Sequence, residues 1–74
     1  MMDHNIINKD FRKDIGEALW RLRRERKLRI STVAKDVGYV ESKIDLLEMG
    51  RQFDYGLIRK LAKYYNVDIK FMFE

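Results

Sequence analysis

Residues 30–49, ISTVAKDVGYVESKIDLLEM, decide the fold. Val33, Ala34 and Val37 form an apolar stripe at helical spacing, and Gly38 follows where a helix end asks for a residue of positive φ. Tyr39 then returns to the core. Val40, Ile44 and Leu47 recur at intervals of four and three, which predicts a second helix from near Glu41 that Gly50 ends. Three residues make the pattern more specific than either helix alone. Ala34 is small where two helices would cross, Gly38 lacks the Cβ that a tight turn would strain, and Ile44 is an aliphatic placed to fill the wedge between them. An ordinary αα-hairpin can meet this spacing by chance, so the flanking segments have to agree.

On the N-terminal side they do. Over residues 10–27, Phe11, Ile15, Ala18, Leu19 and Leu22 fall on one helix face, with Asn8 or Asp10 available as N-cap. Gly16 lowers helix propensity there, which signals close packing against a neighbour. Residues 1–9 are expected to form a flexible polar lead to a single domain of residues 10–74, with an arm that docks on a subunit or on DNA as the rival reading. Trp20 lies off the apolar face, either with its ring over the stem of Arg24 one turn on or as an anchor for a partner. The run Arg21, Arg23, Arg24, Arg26, Lys27 and Arg29 reads as a solvated helix end, or as a set of groups for phosphates.

On the C-terminal side, Asp54 is a candidate N-cap for a helix to about Tyr65, whose core face is Ile58, Leu61, Ala62 and Tyr65. Tyr64 points elsewhere. Asn66 can end that helix in the left-handed conformation, and Asp68 can cap a last short helix through Phe73. The tail IKFMF also alternates as a strand would. A domain this small cannot bury all of Ile69, Phe71, Met72 and Phe73, and surplus apolar surface marks an interface. A homodimer is therefore expected, with Trp20, Tyr64, Ile69, Phe71 and Phe73 as dimer or partner contacts.

Length and composition set the outer bounds. The 74 residues, 46% hydrophobic and 38% charged, fit one globular domain with a small core rather than a disordered chain. Without Pro the breaks fall to Gly and Asn. There is no Cys and one His, His4, so neither a disulfide nor a metal site is expected. No signal-peptide run and no membrane-length apolar stretch is present, and the cytoplasm is the expected compartment. The net charge of +4 suits a polyanionic partner, but it is unevenly spread. Seven bases meet two acids over residues 15–35, whereas two bases meet five acids over residues 36–54.

With these residues in view, the chain resembles the Xre family of helix-turn-helix proteins, the group of Cro and the lambda-type repressors. The likeness covers about residues 15–73. It begins with IGEALWRLR, where Ile15, Leu19, Leu22 and Arg23 fall on recurrent positions of the family's first helix. It continues through Leu28, Ala34, Gly38, Ile44, Glu48 and Gly50, and closes with LAKYYNVDIKFMF, similar to the family's fourth helix, turn and fifth helix. The resemblance implies an all-α fold, a compact five-helix lambda-repressor-like domain around a central helix-turn-helix. It further implies a dimer that binds duplex DNA at a pseudo-palindromic operator as a transcriptional regulator.

Position by position, the resemblance makes the start of the second of the paired helices a reader of bases. Glu41, Ser42, Lys43, Asp45 and Leu46 fall on its exposed positions. Lys43 would donate to guanine, Ser42 would serve either partner, and Asp45 would accept from cytosine N4. Arg51 and Gln52 match the loop that touches the backbone, and Arg29, Ser31 and Thr32 would offer guanidinium, hydroxyl and free N–H groups to a phosphate. The chain departs from the family pattern where Ser-Gln is common, at Arg29 and Ile30, and in the acids Glu41 and Asp45. Glu48 is different, since the family carries an acid there for structural reasons. The acidic reading helix opens a second function, the same fold used as a protein-interaction module through Trp20, Leu46 and Met49. No cofactor and no enzymatic activity are expected, because the acids are scattered and no nucleophile-base pair is visible.

Overall fold

The computed structural model describes the backbone of residues 2–68 and the side chains of residues 11–68. Over them the chain is all-helical, with α1 (Met2–Glu25), α2 (Ile30–Val37), α3 (Glu41–Glu48) and α4 (Tyr55–Tyr65). The fifth helix expected through Phe73, like the alternative strand, lies outside the described residues.

The first helix starts earlier than the sequence suggested. It runs from Met2, so Asn8 and Asp10 sit within it rather than capping it. Residues 2–9 hold neither Gly nor Pro, and once a packed segment has nucleated a helix, each further residue adds a hydrogen bond for little entropy. It also stops two residues sooner, at Glu25, because Lys27 adopts φ +56°. The Leu28 N–H then reaches back to the Arg23 carbonyl at 3.1 Å and Lys27 N–H to Arg24 at 3.0 Å, a Schellman closure. The other described helices also end on a left-handed residue, at Gly38, Gly50 and Asn66.

The core is built from one face of each element. Ile15 and Leu19 come from α1, Val33, Ala34 and Val37 from α2, Ile44 and Leu47 from α3, and Leu57, Ile58, Leu61, Ala62 and Tyr65 from α4. Burying each of the Val, Leu and Ile side chains contributes about 1.5–3 kcal/mol before the entropy of ordering the chain is set against it.

Two features lock α1 to α3. A Cβ on Gly16 would lie 2.5 Å from the carbonyl oxygens of both Leu47 and Glu48, so only glycine lets the two backbones approach. About two turns further on, the Arg23 fork closes on Glu48. Its Nε and Nη2 donate to the two carboxylate oxygens at 2.8 and 2.9 Å, and its Nη1 to the Leu28 carbonyl at 3.0 Å. The side chains are 12% and 3% exposed, so the pair is satisfied away from water. Glu48 holds the guanidinium pKa above its ordinary value against the opposing effect of burial.

Candidate nucleic-acid interface

The turn between α2 and α3 has the three features the sequence assigned to it. Ala34 is 4% exposed, Ile44 is fully buried, and Gly38 takes φ +78°. Both the Gly38 and Tyr39 N–H groups donate to the Ala34 carbonyl, at 2.9 and 3.0 Å, which closes α2 and redirects the chain. With Ile44, Leu47 and Glu48 turned inward, the 3.6-residue period forces the intervening residues of α3 outward. Glu41, Ser42, Lys43 and Asp45 are accordingly exposed and Leu46 is half-buried.

The helix starts differ in a way that matters for anions. Asp54 caps α4, its carboxylate accepting from the Leu57 N–H at 3.1 Å. Neither Arg29 at the start of α2 nor Val40 at the start of α3 supplies a side-chain cap. Apart from the Lys43 N–H, which donates to the Val40 carbonyl at 3.2 Å, their first-turn N–H groups are left to water or a ligand, with Arg29, Ser31 and Thr32 exposed beside the first of them. Arg51 and Gln52 are exposed in the connector, which the Arg51 N–H pins to α3 through the Leu46 carbonyl at 2.9 Å.

Lys43 sits differently from the expectation of an unengaged base-reading cation. Its Nζ is 3.4 Å from the Asp54 carboxylate, with the two side chains 45% and 30% exposed. The Leu57 N–H, and then Lys43, hold the Asp54 carboxyl below the ordinary carboxylate range. An exposed pair at this distance is worth at most ~1 kcal/mol, so it orients Lys43 without committing it. Sequence spacing gave no sign of this contact, because it joins α3 to a connector whose path is set only by packing.

The basic run is mostly exposed, as a solvated helix end would be, but four of its arginines have partners that the sequence did not show. Arg23 is committed to Glu48, and Arg26 donates to the Tyr65 carbonyl at 2.8 Å while lying over the Tyr65 ring at 5.3 Å. Arg21 pairs with Glu17 at 2.9 Å, and Arg24 lies 5.0 Å above the Trp20 ring, the first of the two readings of Trp20. These four guanidinium groups thus each have a partner within the chain, whether carboxylate, carbonyl or ring, and Lys27 and Arg29 are exposed with no such contact among the described residues. A planar, multi-donor head finds carbonyls and carboxylates on neighbouring elements that a helical wheel does not show.

Of the expected partner contacts, Trp20 is 40% exposed, and Tyr64 is half-buried with its hydroxyl donating to Asp36 at 2.6 Å. Ile69, Phe71 and Phe73 lie outside the described residues. Exposed apolar side chains that spacing did not single out occur at Phe53 and Tyr55, and Phe53 stacks at 5.8 Å on Phe11. Among the described residues no group of three His, Cys, Asp or Glu side chains is placed to hold a metal, and no helix is long and apolar enough to cross a membrane.

Comparison with known proteins agrees with this geometry. No curated protein and no solved structure matches the chain significantly. A family model described as a helix-turn-helix domain matches residues 14–70, most of the chain, which belongs to that non-catalytic family.

Proposed function

From the premise that this is a helix-turn-helix domain, we propose that it is a transcriptional regulator that lays α3 in the major groove of duplex DNA. The observation that carries the reading is the outward face of α3, where Ser42 and Lys43 are exposed while Ile44, Leu47 and Glu48 hold the helix from behind. The uncapped starts of α2 and α3, with Arg29, Ser31 and Thr32 at the first of them, and Arg51 in the connector after α3 supply donors for phosphates. Sequence choice falls to Lys43 and Ser42, with Asp45 accepting from cytosine. On a pseudo-palindromic operator two copies form the homodimer, their α3 helices about one turn of DNA, roughly 34 Å, apart. The Arg23–Glu48 clamp and the Ala34, Gly38, Ile44 triplet support placing the chain with the Xre-type regulators.

The test is a titration of labelled duplex at low and at high salt. Retention is expected to fall steeply as salt rises. Lys43→Ala should relax sequence choice, whereas Arg51→Ala should weaken all sequences alike. A second reading is favoured by the exposed acids Glu41 and Asp45 and by Met49, 47% exposed at the end of α3. A carboxylate held against phosphate lowers affinity. If the duplex is not retained even at low salt, and a protein partner is captured in a manner lost with Trp20→Ala or Met49→Ala, the interaction-module reading replaces the first.

A further inference from the structure

The connector that follows α3 is pressed against α1. Gly50 turns the chain there at φ +73°, and a Cβ on it would lie 3.0 Å from the Lys13 Cα and 3.2 Å from the Lys13 Cγ. Two further contacts fix the connector's course. The Arg51 N–H donates to the Leu46 carbonyl at 2.9 Å, and the Phe53 ring meets the Phe11 ring of α1 at 5.8 Å. Packing thus sets Lys13 against the residue that immediately precedes Arg51.

Both side chains are exposed, and neither forms an ion pair among the described residues. The acids that follow Lys13 on α1 do not answer it. Glu17 is tied to Arg21 at 2.9 Å, and Asp14 lines the same flank of the helix as Ala18 and Leu22. On the connector, Asp54 accepts from the Leu57 N–H and pairs with Lys43. Two cations drawn together from different elements, with no acid paired to either, repel each other, and a bound anion removes that cost.

We propose that Lys13 and Arg51 together grip the phosphodiester backbone of the duplex at the C-terminal end of α3. On the premise that α3 lies in the major groove, Lys13 adds a phosphate contact from α1, outside the helix-turn-helix itself. That contact offsets the repulsion that the exposed Glu41 and Asp45 bring to phosphates, because backbone contacts add affinity without regard to sequence. An ammonium suits the position, since a compact point charge on a flexible stem needs no fixed geometry to meet a phosphate.

The test titrates the whole chain with labelled duplexes of several sequences over a range of chloride concentrations, alongside Lys13→Ala, Lys13→Arg and Lys63→Ala. Lys63 is an exposed cation in the last turn of α4, whose end Arg26 fastens about 20 Å from Lys13 along the direction of α1. Lys13→Ala should weaken binding about fivefold for every sequence and lower the steepness of the salt dependence by about one counterion. Lys13→Arg should keep both, and Lys63→Ala should change neither. A Lys13→Ala chain that keeps its helical circular dichroism and binds as the parent does would overturn the grip while leaving α3 as the reader. An equal loss in Lys63→Ala would overturn it too, by reducing the effect to net charge. No retention of the parent even at low salt would remove the premise and the grip together. Inorganic phosphate replacing chloride at equal ionic strength should displace the duplex no better, and a preferential displacement that Lys13→Ala abolishes would make the pair a site for free anions and overturn its assignment to the duplex.

Discussion

On the inner face of α3, Ile44 and Leu47 are buried, Glu48 is held by the Arg23 fork, and the backbone presses on Gly16. On the outer face, Glu41, Ser42, Lys43 and Asp45 are exposed, and of these Lys43 alone is held by another element, through its loose pair with Asp54. One short helix therefore carries a side where nearly every atom is spoken for and a side that packing leaves free. The difference separates what specifies the fold from what is available for recognition.

Substitutions should divide along the same line. The largest loss is expected from Glu48→Ala, which strands the buried Arg23 guanidinium and should cost about 4 kcal/mol in a urea unfolding titration. Gly16→Ala comes next, at about 2 kcal/mol, because two backbone carbonyls have to move and the gain in helix propensity offsets only part of that. A second glycine change sharpens the contrast. A Cβ on Gly38 meets nothing within 4 Å, so Gly38→Ala carries only the left-handed penalty, about 1 kcal/mol. If Gly38→Ala proves costlier than Gly16→Ala, close approach is not what joins α1 to α3.

Tyr65 offers a stabilising counterpart. Its hydroxyl is buried without a hydrogen-bond partner among the described residues, and burial pushes its pKa up to about 12. The folded state favours the neutral phenol, so its contribution is intact below the unfolded pKa of about 10 and declines as pH rises from there toward 12. Tyr65→Phe should raise stability near neutral pH by about 1 kcal/mol and shift alkaline unfolding upward. The smallest effects belong to the outer face, where Ser42→Ala and Asp45→Ala should stay within about 0.5 kcal/mol of the parent.

How much of this was legible in the sequence follows the same division. Ala34, Gly38 and Ile44 could be read because helix crossing, turn and wedge each admit few residue types, and Gly16 because a glycine inside a helix needs a packing reason. The start of α1 was misplaced, since a polar segment with no breaker looks like a frayed lead until it is joined to a packed helix. The arginine run was legible only in part, for another reason. Its carbonyl and carboxylate partners lie as far off as Glu48 and Tyr65, and periodicity within one helix contains no information about them. The exposed positions of α3 were what the family resemblance implied, and the burial of Ile44, Leu47 and Glu48 agrees with them, but the hold of Asp54 on Lys43 had no sign in the sequence.

The central claim is that the outer face of α3 meets duplex DNA, and amide chemical-shift mapping on the nitrogen-labelled chain, titrated with duplex at low salt, addresses it most directly. The account predicts that the largest changes fall on Glu41, Ser42, Lys43 and Asp45 and on Ser31 and Thr32, and that they fade as salt is added. Changes centred instead on Trp20, with α3 unmoved at any salt, would contradict it.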